Sequence, residues 1–300
     1  MKNILWIYFE RNWAYDINAK ILAANLPQYN HYFFITGEQS KATLDSMISY
    51  ADIIISMNPM NYFLYNNFSN IFAILDSKRA IKKSRENVFA KMAGIICTNK
   101  ELFEFAKTKN KNVILQPNGI DLDIFKPPII QCNSDKFIVG FAGNIDDRSG
   151  VDYKGWSFYQ EAINSLRAKF GRIEQLNAIY GANQISFDKM IPEFYHKINC
   201  LVLPSINEGC SNVIVESLAC GVPVICTKVG YHGQDSPYKN HCLFIERSFD
   251  SIKTAILQLY NDSCLYECMR KAAREFACQY HDIKKVANNY ANFFESTLQR

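Results

Sequence analysis

Short apolar runs alternate along the chain with longer stretches in which apolar residues return every three or four positions. The short runs fit strands of a parallel sheet covered on both faces, and the longer stretches fit amphipathic helices. In the first half the pattern predicts strands over 3–9, 32–36, 53–57, 71–75, 94–98 and 112–116, with helices over 14–26 and 84–92 among the segments between them. After Phe125-Lys126-Pro127-Pro128, the polar segment 131–136 reads as a linker. The alternation resumes with strands over 137–143, 175–181, 200–204, 223–227 and 242–245. Two helical patterns close the chain, 252–260 and 265–294, the second broken near His281 and Asp282. Such alternation predicts α/β architecture with doubly wound parallel sheets. The division it implies is one domain over 1–128, a second over 129–282 and a terminal helical segment over 283–300.

The segment 201–227 reads L-V-L-P-S-I-N-E-G-C-S-N-V-I-V-E-S-L-A-C-G-V-P-V-I-C-T. Its two ends are buried strands. Between them Ser211 or Asn212 caps a helix over 213–219, and Gly221 ahead of Val222-Pro223 stops it. Glu208 and Gly209 then fall on the turn at the carboxyl end of a strand, where open α/β sheets bind ligands. The backbone N–H groups of Gly209, Cys210, Ser211 and Asn212 form an anion site at the helix start without any basic side chain. Glu208 and Glu216, eight residues apart, place carboxylates around that helix end, and an ionised carboxylate accepts from hydroxyls. A nucleotide sugar carries both the phosphate and the hydroxyls this arrangement suits.

Glu208-Gly209 followed by Glu216-Ser217-Leu218-Ala219-Cys220-Gly221-Val222-Pro223-Val224 resembles the E-x7-E motif of retaining glycosyltransferases of the GT-B fold, specifically glycosyltransferase family 4. Pro117-Asn118-Gly119-Ile120-Asp121 with Phe125-Lys126-Pro127 is similar to that family's hinge segment. Val139-Gly140-Phe141-Ala142-Gly143, with Lys154-Gly155 beyond it, resembles the first strand and donor loop of its second domain. Two glutamates at one spacing arise by chance; three ordered motifs covering most of 113–232 do not. The resemblance implies a GT-B fold of two Rossmann-like doubly wound domains facing a central cleft, with the acceptor on the first and the nucleotide sugar on the second. The terminal helix would cross back onto the first domain. The implied activity is a retaining hexosyl or related transfer from a nucleotide-diphosphate sugar to a glycan, lipid-linked or other acceptor. Two alternatives stay open: a non-hydrolysing nucleotide-sugar epimerase of the same fold, and a non-catalytic nucleotide-sugar-binding subunit.

By the same resemblance, Lys154 holds the diphosphate, Gly155 lets backbone approach it, Gly143 ends the first strand as a donor-binding position, Glu208 takes hydroxyls of the transferred sugar, and Glu216 takes the ribose hydroxyls. Asn144 stands where the family has an arginine. Arg148 either reaches the same phosphate from a new position or pairs with Asp146 or Asp147. Gly230 falls where the family has a glycine-bearing loop near the donor, and His232 reads as a loop residue. On the acceptor side the match is poorer. Asp16 either contacts substrate or caps the helix after it, and Asp76, after the strand where the family carries a histidine, is either the polar contact near the reacting centre or a turn aspartate at a strand end.

Helix amides and Lys154 would take the place of a divalent cation, so neither a metal nor a cofactor is expected beside the donor sugar. The ten cysteines include no C-x-x-C pair, and several lie in apolar strands, where a thiol behaves as a small hydrophobe. With 300 residues, of which 48% are apolar, the chain can bury two cores. Ile4-Leu5-Trp6-Ile7-Tyr8-Phe9 reads as a first strand rather than a signal peptide, which implies a cytoplasmic protein. A net charge of +4 without aromatic–basic interleaving argues against a nucleic-acid partner. The basic run Lys78, Arg79, Lys82, Lys83 and Arg85 is either a solvated face or a contact for an anionic acceptor or the inner membrane surface.

Overall fold

The computed structural model describes every residue except 13, 58–68, 78–80, 82–85, 130–134, 146–149, 234–240 and 300. The chain forms two compact units, Met1–Asp121 together with Asp282–Arg300, and Leu122–His281.

The first unit runs β1 (Lys2–Tyr8), α1 (Ala14–Ala24), β2 (Tyr29–Ile35), α2 (Lys41–Ser49), β3 (Ile53–Ser56), β4 (Ile71–Leu75), α3 (Glu86–Phe89), β5 (Gly94–Cys97), α4 (Lys100–Lys107) and β6 (Val113–Leu115). Its sheet is parallel throughout, in the order β2-β1-β3-β4-β5-β6. The central strands β3, β4 and β5 are buried at every position, as their unbroken apolar runs require. The pleat sends alternate residues to opposite cores: Ile4, Trp6 and Tyr8 join one cluster, Leu5 and Ile7 the other. Helices α2 and α4 are additions to the pattern read from sequence. Their start signals are Ser40, which accepts from the Thr43 amide, and Asn99, which accepts from the Leu102 amide. The helix expected over 84–92 contracts to α3, and β2 begins at Tyr29 instead of 32.

The second unit runs β7 (Phe137–Gly143), α5 (Trp156–Lys169), β8 (Ile173–Ile179), β9 (Cys200–Leu203), α6 (Asn212–Ala219), β10 (Val224–Thr227), β11 (Cys242–Ile245), α7 (Phe249–Asn261) and α8 (Ser263–Tyr280). Its parallel sheet has the order β11-β10-β9-β7-β8. The chain runs outward from β7 to β8 and then returns to the other side of β7 through β9. The carboxyl ends of β7 and β9 are therefore the topological switch point of this sheet, the place where such folds bind ligands.

The last helix, α9 (Ile283–Leu298), belongs to the first unit. Ile283, Val286, Ala287, Tyr290, Phe293 and Phe294 form its apolar stripe and join the cluster of Trp6 and Tyr8. Asp282 caps it by accepting from the Lys284 amide, and the Ile283 amide bonds the Ile120 carbonyl at 3.1 Å. This explains the glycine in Pro117-Asn118-Gly119-Ile120-Asp121: a Cβ on Gly119 would sit 3.0 Å from the Ile283 backbone.

The division between units falls after Asp121 rather than after Pro128. Phe125 is buried in the second unit against the rings of Phe187 and Tyr195, and Arg274 of α8 donates to the Leu122, Phe125 and Ala219 carbonyls. Those bonds commit the segment to the second unit before the polar linker begins.

Candidate functional site

The switch point gathers residues from three loops of the second unit. Lys154 lies between β7 and α5, with its stem beside Gly143: a Cβ built on that glycine would lie 3.7 Å from three stem carbons. Its ammonium meets Glu208 Oε1 at 2.5 Å, and Ser205 Oγ donates to the same oxygen at 2.7 Å. Both bonds fall on Oε1, so Oε2 has no partner among the described residues and is available to accept from a ligand.

Several ties hold the lysine loop against the Glu208 loop. The Ile206 amide bonds the Tyr153 carbonyl at 2.9 Å. Arg247 donates to the Pro204 carbonyl at 3.0 Å and to the Asp152 carbonyl, while its guanidinium lies over the Phe158 ring. Asp152 in turn accepts from the Trp156 and Ser157 amides and the Ser157 hydroxyl, capping the first turn of α5. Burial pushes the Asp152 carboxyl up, but the Ser157 and Trp156 bonds outweigh it and hold the group below its ordinary value. Gly155 has φ of +75°, and a Cβ there would come 2.4 Å from the Pro204 carbonyl oxygen, so only glycine lets these loops meet.

The start of α6 is more enclosed than the sequence implies. Gly209 is buried, Cys210 is 6% and Ser211 7% exposed, and of the four anion-site residues only Asn212 is half-buried at the helix tip. The cover is the loop after β10. Gly230, with φ of +64°, packs against the Glu208 and Gly209 carbonyls, and the Tyr231 amide bonds the Gly209 carbonyl at 2.7 Å. Ser211 is the N-cap residue by position, without a capping bond from its side chain. The polar groups that remain near the surface are those of Lys154, Glu208 and Asn212.

Glu216 is a buried carboxylate, 7% exposed, and not a surface residue of α6. The Tyr195 hydroxyl donates to its Oε2 at 2.5 Å. Burial raises the carboxyl to about 7, and the Tyr195 bond pulls it partly back. Because the folded value lies above the unfolded value of about 4.5, the folded state binds more protons across that interval. Stability is therefore full below about 4.5 and falls as pH rises towards 7, by about 3 kcal/mol in all. Urea titrations at pH 5 and pH 8 should show this loss in the native chain and little of it in Glu216→Gln.

The remaining sequence candidates fall as follows. Asn144 directly follows Gly143 after β7, half-buried. Asp76 belongs to the first unit, half-buried at the carboxyl end of β4. Asp16 does not cap α1 from outside. It lies within that helix, buried, and accepts from the Tyr8 hydroxyl, the Asn12 amide and the Lys20 ammonium, which marks it as a structural carboxylate. Arg148 lies outside the described residues, as do Lys78, Arg79, Lys82, Lys83 and Arg85. Ser205, Tyr195 and Arg247 are site residues that sequence reading missed. Tyr195 and Arg247 act through partners distant in the chain, whereas Ser205 carried a signal, its position three residues before its partner Glu208. Among the described residues no helix is long and apolar enough to cross a membrane.

Residues 136–262, the segment that holds Lys154, Glu208 and Glu216, match the sequence profile of the family described as Glycosyl transferases group 1. An uncharacterized glycosyltransferase of Methanocaldococcus jannaschii is 34% identical over 96 residues, a stretch that is 32% of this chain and only 27% of that protein. Sucrose-phosphate synthase from Thermosynechococcus elongatus has a similar structure, with a TM-score of 0.74 and 15% identity over 99% of each chain. Anabaena HepE in complex with UDP and glucose superposes with a TM-score of 0.72 at 13% identity, over 99% of this chain and 100% of that one. These likenesses show the fold to be GT-B, with two parallel-sheet α/β domains.

Proposed function

We propose that this chain is a glycosyltransferase that moves a sugar from a nucleotide-diphosphate donor to a glycan, lipid-linked or other acceptor, with retention at the anomeric carbon. The observation that carries the proposal is the Lys154–Glu208 contact of 2.5 Å at the switch point of the second sheet. The match over 136–262 supports it, as does the UDP bound by Anabaena HepE.

Sugar transfer breaks the bond between the anomeric carbon and the diphosphate, and negative charge grows on the departing oxygen. Stabilising that charge is the main catalytic demand. In this reading the Lys154 ammonium and the Asn212 end of α6 receive the diphosphate, so that no divalent cation is required there. Glu208 keeps Oε1 on Lys154 and Ser205 and accepts a sugar hydroxyl at Oε2. Glu216, steadied by Tyr195, accepts the ribose hydroxyls. The loop bearing Gly230 walls the phosphate side, and Asp76 serves the acceptor from the end of β4.

Incubating the purified chain with a panel of nucleotide sugars tests the reaction class. Release of free nucleotide, slow alone and faster with acceptor, supports transfer. A changed sugar on an intact nucleotide points to an epimerase, and binding without turnover to a non-catalytic subunit; either result overturns the proposal.

A further inference from the structure

The loop that covers the start of α6 leads into a buried group of imidazoles and a thiol. His232 and His241 are each 2% exposed and Cys242 is 6% exposed, and one ligand atom from each lies within 4.8 Å of the others. Neither ring nitrogen of His232 has a hydrogen-bond partner among the described residues. Interiors rarely leave a polar side chain in that state, since an apolar residue of the same size would pack there without the desolvation penalty. His241 precedes β11, so its side chain is not bound by the pleat alternation that would separate it from Cys242. Phe276 stacks flat on the His241 ring at 4.1 Å and fixes its plane.

We propose that His232, His241 and Cys242 form a structural site for one borderline-soft divalent ion of the zinc class. Two imidazoles and one thiolate are donors that zinc favours, at about 2.0–2.1 Å for nitrogen and about 2.3 Å for sulfur. His281, whose ring centroid is 5.6 Å from that of His232, and the buried thiol of Cys226 beside Cys242 border the group, and one of the two fills the fourth position. Surrounding rings of Phe276 and Tyr231 exclude water, which suits a closed structural site better than a catalytic one. The ion would clamp the loop just after Tyr231, whose amide holds the Gly209 carbonyl, and so brace the wall of the proposed donor site. The sequence did not announce the site, because its three ligands follow no standard spacing and the sheet assembles them.

Cobalt(II) is the probe, since a thiolate ligand gives it a charge-transfer absorption. The test uses the full chain after chelator dialysis, with the exposed pair Cys264 and Cys268 on α8 replaced by serine so that they cannot bind the metal. The expected result is one cobalt per chain with the thiolate band, displaced by zinc, together with a raised melting temperature. Cys242→Ser should abolish the band. His232→Asn, which keeps the thiolate, should weaken binding about tenfold or more and provides the reading if the cysteine variant does not fold. No band, substoichiometric cobalt, or a band undiminished by either variant overturns the site. Metal content and absorption are independent of sugar turnover, so this inference and the proposed function fail separately.

Discussion

Glu208→Gln is expected to lower sugar-transfer turnover by roughly 100-fold to 1,000-fold while the chain folds and melts normally. The amide keeps the size of the side chain but loses the charge that holds the Lys154 ammonium and Ser205 hydroxyl on one oxygen. It also replaces an acceptor-only group with one that can donate, so a sugar hydroxyl at Oε2 no longer finds a fixed partner. The residue is 12% exposed at its side chain and lies on a loop, outside the buried cores, so the change should spare stability. Nucleotide release by the variant, beside its melting curve, checks this. Undiminished turnover would remove Glu208 from the chemistry.

Lys154→Met is expected to cost turnover by a similar factor, about 100-fold to 1,000-fold, for a different reason. Methionine preserves much of the stem that runs beside Gly143 but brings no charge to the departing diphosphate. Arginine should rescue poorly. Its planar fork does not reproduce a compact ammonium in a space bounded by Gly143 and Glu208. Steady-state kinetics should show the loss mainly in kcat, because the charge on the leaving group grows as the bond breaks.

Much of the scaffold was readable in the chain because its central strands are buried on both faces. Ile71–Leu75 and Cys200–Leu203 have no polar edge to obscure the run, and the break at His281 and Asp282 showed in the capping aspartate and in the apolar stripe that restarts at Ile283. Helices α2 and α4 were harder to read. α2 turns only Leu44 fully inward, which leaves a faint stripe, and α4 is amphipathic but spans only 8 residues. In the site, the glycines at 143, 155 and 230 stood at motif positions, and positive φ or close backbone approach explains why. What the sequence could not supply were contacts between distant loops. Tyr195 meets Glu216 across 21 positions and Arg247 meets Asp152 across 95, and no local spacing encodes either. The same limit hid the cover over the start of α6, which comes from Gly230 and Tyr231 on the next loop.

The central claim is that Lys154 and the start of α6 grip a diphosphate. Calorimetric titration with uridine diphosphate and uridine monophosphate, on the native chain and on Lys154→Met, tests it most directly; uridine is the first base to try because Anabaena HepE binds UDP. The diphosphate should bind the native chain more tightly than the monophosphate, and Lys154→Met should erase most of that advantage. Equal affinity for the two nucleotides in the native chain, or an advantage that survives intact in Lys154→Met, would contradict it.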